Sequence, residues 1–138
     1  YHGKGVDMHV LTYRKAPTLS VALLPNFRNH EIYTPLWVET FNITNELPNN
    51  ESIIRPHLQA PQNKKDEMKK LATKVYKALN LTEPATIDVI HHNNDYIVVN
   101  IETSPSLRKN GRFMQALETT GIESGHYIHS RIQNEFER

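Results

Sequence analysis

Residues 85–102 read Ala85-Thr86-Ile87-Asp88-Val89-Ile90-His91-His92-Asn93-Asn94-Asp95-Tyr96-Ile97-Val98-Val99-Asn100-Ile101-Glu102. Two β-branched and aromatic runs flank a polar stretch from His91 to Asp95, the pattern of a β-hairpin. A slip of one residue carries every side chain of a strand to the other face, so the apolar residues set the register. With Asp88 opposite Asn100, residues Ile87, Val89, Ile97, Val99 and Ile101 share one face. Thr86, Asp88, Ile90, Tyr96, Val98, Asn100 and Glu102 then share the other. A two-residue turn at Asn93-Asn94 would split the apolar set, so an odd loop of three residues or more is expected.

Outward from the hairpin, Met68, Leu71, Ala72, Val75, Ala78 and Leu79 recur at helical spacing, with Asn63 as the expected cap and Asp66 and Glu67 in the first turn. The lysines around that stripe are those of an ordinary solvated helix face. Beyond Pro105, Asn110 is placed to cap a helix carrying Phe113, Met114, Ala116 and Leu117, ended by a left-handed Gly121. A last helix from about Ser124 to Phe136 has Ile128, Ile132 and Phe136 as its stripe. The front half reads as strands: Val6–Tyr13, Leu19–Leu24, a run over Ile32–Phe41 broken near Pro35, and Ser52–Arg55 within a long surface loop from Asn42 to Gln62. Strands, helix, hairpin and two helices in that order point to an α+β fold, a mainly antiparallel sheet flanked by helices.

At 138 residues the chain is expected to form a single domain, 1–138. Sixteen Lys and Arg against 15 Asp and Glu leave a formal charge of +1, so no global field draws it to nucleic acid or anionic lipid. No apolar run approaches the ~20 residues of a membrane span, and cysteine is absent, which removes disulfides and thiolate chemistry. A cytoplasmic protein is expected. Tyr1 in place of Met suggests a piece cut from a longer protein.

The hairpin carries the chemistry. Asp88, Asn100 and Glu102 place three oxygen-bearing side chains within cross-strand reach, and hard cations such as Mg²⁺ favour carboxylate and amide oxygens. A solvent-facing strand shows the same polar alternation, and the residues alone leave both readings open. His91-His92 in a polar turn, and His126 and His129 on a helix without a third partner, are weaker metal candidates. Trp37 reads as core.

Residues 64–138 resemble the C-terminal part of the ATP-grasp fold, in particular the D-alanine–D-alanine ligase group. That group runs from a helix to a strand with Ala-Arg-Val-Asp-Phe, a hairpin, a strand ending Glu-x-Asn-Thr-x-Pro-Gly, and a Gly-Ile turn before the last helix. The matching pieces are the helix from Leu71 to Leu79, Ala85-Thr86-Ile87-Asp88, Asn100-Ile101-Glu102-Thr103-Ser104-Pro105 and Thr120-Gly121-Ile122. The first sixty residues match only loosely.

The resemblance implies an ATP-dependent ligase that activates a carboxylate as an acyl phosphate for attack by an amine. It also implies Mg²⁺ (or Mn²⁺) held by Asp88, Asn100 and Glu102, with Asn100 and Glu102 exchanged relative to the family order. Ser106 and Gly111 fall at substrate-side positions, and Thr86 stands where the family has Arg. Five glycines, with only Gly3 and Gly5 close together, make no phosphate loop. The chain is therefore expected to be one lobe of a cleft, catalysing nothing alone. It would need an N-terminal lobe or partner chain, with ATP and a small carboxylate or amine as ligands and a homodimer as a possible assembly. The contrasting expectation is a catalytically degenerate lobe kept as a binding or assembly module.

Overall fold

Strand β1 (Thr18–Phe27) is the axis of the sheet, and its sequence explains why. Its apolar run from Leu19 to Leu24, interrupted only by Ser20, is what a strand covered on both faces needs. The computed structural model describes residues 17–41, 53–56 and 60–137. The strand expected at Val6–Tyr13 and most of the loop expected over Asn42–Gln62 lie outside the described residues.

β1 turns through Arg28-Asn29, both at positive φ (50° and 61°), into β2 (His30–Tyr33). On that same edge the start of β1 pairs with β3 (Val38–Phe41), which pairs in turn with β4 (Ile53–Pro56). The run over Ile32–Phe41 thus divides into two strands around its proline. On the other edge β1 pairs with β5 (Ala85–His92), and β5 with β6 (Asp95–Glu102). All pairs are antiparallel, in the order β4-β3-β1-β5-β6 with β2 beside the far end of β1. With three helices this is the α+β architecture expected from the element order.

Alternation along β1 and β5 divides the core. Leu19, Val21, Leu23, Ile87 and Val89 pack against Met68, Ala72 and Tyr76 of α1 (Gln62–Ala78). Ala22 and Leu24, with Val38, pack against Phe113, Met114 and Leu117 of α2 (Arg112–Glu118) and Tyr127 of α3 (Ser124–Phe136). Trp37 is buried in the first core, as expected. Among the described residues no helix is long and apolar enough to cross a membrane.

The hairpin corrects the expected loop. Asp88 does face Asn100, but the turn is the two-residue Asn93-Asn94, both left-handed (φ 48° and 66°). Asparagine tolerates that region, which a tight hairpin demands at both central positions. A bulge reconciles turn and register: from the turn Val89 pairs with Val98, then Asp88 with Asn100, leaving Val99 as the extra residue. Ile101 shares the face of Ile87 and Val89 as expected, but between the turn and the bulge the faces differ: Tyr96 and Val98 pack toward α1, whereas Ile97 and Val99 are 36% and 37% exposed.

The helices also depart from expectation in detail. α1 begins at Gln62 after Pro61, so Asn63 lies inside it, and Asp66 and Glu67 accept from Gln62 and Lys64 instead. Tyr76 joins the buried face while Leu79 is 50% exposed. α2 is preceded by Gly111, not capped by Asn110. Gly121 (φ 73°) ends it as expected, with the Ile122 and Gly121 amides donating to Leu117 and Glu118 carbonyls. The stripe expected for α3 faces outward: Ile128, Ile132 and Phe136 are exposed, and Tyr127 is the residue it buries.

Ile87→Ala, at the centre of the first core, should cost about 2–5 kcal/mol in urea unfolding. Leu79→Ala, on the exposed side, should cost no more than about 0.5 kcal/mol. Burial pushes the Tyr127 hydroxyl up to about 12; Arg131 opposes that shift, and Glu83 and Tyr76 add to it. The fold therefore holds the neutral phenol more tightly than the unfolded chain, whose tyrosine titrates near ~10. That stability is complete below pH ~10 and is lost as pH rises toward ~12. The melting temperature should fall between about pH 10 and 12 more steeply than in Tyr127→Phe, by thermal scans at matched ionic strength.

Candidate functional site

Two adjacent rows of the sheet, on the α2 side, build the site. The ladders place Ser20, Asp88 and Asn100 directly opposite one another across β1, β5 and β6, and Ala22, Thr86 and Glu102 in the next row. The bulge at Val99 makes this possible, because it returns Asn100 and Glu102 to the face that Asp88 occupies.

Asp88 is 3% exposed, and a carboxylate so buried must be paired and hydrogen-bonded to stay charged. It is. Ser20 Oγ donates to Oδ1 at 2.6 Å, and Asn100 Nδ2 donates to Oδ2 at 3.0 Å. Arg112 Nη1 donates to Oδ2 at 2.8 Å, and Arg112 Nη2 stands 4.0 Å from Glu102 Oε2. The remaining polar group of the second row is Thr86, buried to 1% exposure, whose hydroxyl finds no partner among the described residues.

A tight turn delivers Arg112. The Gly111 amide donates to the Arg108 carbonyl at 2.8 Å, and a Cβ at Gly111 would lie 3.1 Å from that oxygen and 3.3 Å from the Ser106 carbonyl. Glycine lets the chain close there, and the next residue, the first of α2, projects its guanidinium over the sheet.

The structure thus brings Asp88 and Asn100 into contact and sets Glu102 in the neighbouring row. Ser106 and Gly111 lie on the loop joining β6 to α2, where the Ser106 hydroxyl accepts from the Arg108 amide at 3.3 Å. The weaker candidates stay separate: His92 meets Asn93, His91 stacks edgewise on Tyr96, and His126 and His129 are exposed on α3. Sequence reading missed Ser20 and Arg112. Ser20 had a signal, as the one hydroxyl inside an apolar strand, whereas an arginine opening a helix is unremarkable in sequence.

Among the described residues no three His, Cys, Asp or Glu side chains gather as a metal cage. The donor set nonetheless fits a hard cation of the Mg²⁺ kind, which takes one or two carboxylates and completes its shell with water and phosphate oxygens. Asp88 and Glu102 carry two negative charges against the single guanidinium of Arg112, and Asn100 has an amide oxygen to offer. Thr103, Ser104 and Pro105, which follow β6, line a groove of about 370 Å³ together with Tyr127, Ile128 and Arg131 of α3.

The hydrogen-bond pattern makes a testable distinction between neighbouring hydroxyls. Ser20→Ala strips a donor from a buried carboxylate and should cost about 1–3 kcal/mol. Thr86→Val removes an unpartnered hydroxyl at nearly constant shape and should be neutral or stabilising. Equal losses in urea unfolding would contradict the assigned pattern.

The family described as D-ala D-ala ligase C-terminus matches residues 14–133. D-alanine–D-alanine ligase from Bacillus anthracis complexed with ATP superposes with a TM-score of 0.72 at 14% identity, covering 91% of this chain and 40% of that one. Another structure of that ligase gives 0.71 at 14% identity, covering 91% and 41%. D-alanyl-alanine synthetase A from Vibrio cholerae O1 biovar eltor gives 0.62 at 17% identity, covering 83% and 36%. The chain therefore spans about two fifths of these ligases' length. No curated protein sequence matches it.

Proposed function

Because the chain belongs to the D-ala D-ala ligase C-terminal family, we propose that it supplies the phosphate-end lobe of an ATP-dependent carboxylate–amine ligase. The observation that carries this reading is the pair of sheet rows in which Asp88, Asn100 and Glu102 share one face. In the proposed reaction a substrate carboxylate oxygen attacks the γ-phosphorus of ATP and ADP leaves, forming an acyl phosphate. An amine nitrogen then attacks the acyl carbon, phosphate departs, and the amine loses a proton as the amide forms.

Asp88 and Glu102 are the residues that would hold Mg²⁺ or Mn²⁺, with Asn100 as an amide ligand or orienting group. Such an ion, when bound, offsets the charge of the nucleotide phosphates and the transferring phosphoryl group. The chain's own residues prepare that arrangement. Ser20 fixes the Asp88 carboxylate plane through its 2.6 Å bond, and the backbone ladder fixes the spacing of Asp88 from Glu102. The loop bearing Ser106 and Gly111 is the substrate-side wall. The remainder of the cleft, including the groups that grip the nucleotide, comes from sequence beyond this lobe or from a partner chain, in a cytoplasmic protein.

A second reading, a lobe retained for binding or assembly without catalysis, draws support from the Arg112–Asp88 pair, which neutralises the carboxylate without any ligand. Thermal stability separates the two. In the full-length protein, Mg-ATP at about 100 times its Kd should stabilise the fold by about 2.7 kcal/mol. Glu102→Gln, at a partly exposed position, should weaken Mg-ATP by about tenfold or more, a loss of about 1.4 kcal/mol or more. No stabilisation of the wild type at millimolar Mg-ATP would favour the non-catalytic reading.

A further inference from the structure

We infer that Arg112 is a displaceable counter-cation: it pairs with Asp88 while no divalent ion is bound, and turns its guanidinium onto nucleotide phosphate when one arrives. This inference rests on the ligase reading and adds to it a residue that the hairpin motif does not contain.

Charge is the first ground. Asp88, Glu102 and Arg112 sum to one net negative charge, and a polyphosphate brought to that cluster is repelled. A divalent cation between the carboxylates reverses the sign. It also competes with Arg112 for Asp88, because Nη1 donates to Oδ2, an oxygen such an ion would take. Neutral Thr86, in the row beside Asp88, supplies no cation of its own.

Geometry is the second. Arg112 holds Asp88 through one short bond, with Nη2 4.0 Å from Glu102 and Nη1 3.5 Å from Ser20 Oγ. That is a single-point grip and not the two-bond fork that makes guanidinium–carboxylate pairs strongest. The Arg112 side chain is 30% exposed whereas that of Asp88 is 4% exposed, so the arginine can leave toward solvent and the carboxylate cannot follow. On its departure Asp88 keeps Ser20 and Asn100 as donors. Rotation about the side-chain bonds of a residue at the first position of α2 is enough, with no change in the sheet. The freed fork then matches phosphate oxygens.

The signature is two affinities moving in opposite directions. In the full-length protein without nucleotide, Mn²⁺ binding measured by electron paramagnetic resonance should tighten about tenfold in Arg112→Met, within the usual range of site coupling. Mg-ATP binding measured by calorimetry should weaken about tenfold or more in the same variant. Arg112→Gln keeps a donor for Asp88 and gives the same pair of shifts should Arg112→Met fail to fold. Unchanged or weaker Mn²⁺ binding, or unchanged Mg-ATP binding, in a folded variant overturns the inference while a wild type that binds Mg-ATP leaves the ligase reading standing. A wild type that binds neither overturns both.

Discussion

A carboxylate that is almost wholly out of water sets the terms for this lobe. Leaving Asp88 charged and unpaired would cost several kcal/mol, a large share of the stability of a domain this size. Its three donors come from β1, β6 and α2, so the carboxylate on β5 ties the two elements that follow it to a strand 68 residues earlier in the chain. Each donor depends on a local irregularity. Ser20 is the polar residue in an apolar strand, Asn100 faces Asp88 because β6 bulges at Val99, and Arg112 arrives through a turn that only glycine closes comfortably at 111.

Much of this was legible in the sequence, and the failures have physical causes. The α+β architecture, the antiparallel hairpin, the Asp88–Asn100 register and the left-handed Gly121 all follow from local pattern, which is where sequence is informative. The turn was misread because apolar alternation counts residues and cannot tell an odd loop from an even turn followed by a bulge. Both restore the register, but the bulge does so after Val98, which moved Tyr96 and Val98 to the α1 face and left Ile97 and Val99 outside. The stripe of α3 was misassigned for a related reason: helical spacing finds an apolar face, while only the packing shows that Tyr127 goes inward and Ile128, Ile132 and Phe136 do not. Arg112 was invisible because its role arises from contacts across 24 residues to Asp88 and 92 to Ser20.

The near-neutral charge of the chain fits the account of its site. A protein that holds a polyphosphate by a basic surface shows it in composition, and +1 overall does not. Here the charges are few and placed: two carboxylates, one guanidinium, and room in the balance for a divalent ion. The sheet gives that arrangement a rigid base, since the residues beneath it in β1 and β5 are fully buried between two helical layers. The movable part is the side chain of Arg112, held at the rim by one short bond. Fixed carboxylates and a mobile counter-cation are what a site would need to carry one net negative charge when empty and turn positive when loaded.

The most direct test is a crystal structure of the full-length protein with Mg²⁺ and a non-hydrolysable ATP analogue. Such a structure should show a metal ion between Asp88 and Glu102, Asp88 still bonded to Ser20, and the Arg112 guanidinium moved from Asp88 onto a phosphate oxygen. Nucleotide bound with Arg112 still donating to Asp88 at about its present 2.8 Å, and no metal at the carboxylates, would contradict it.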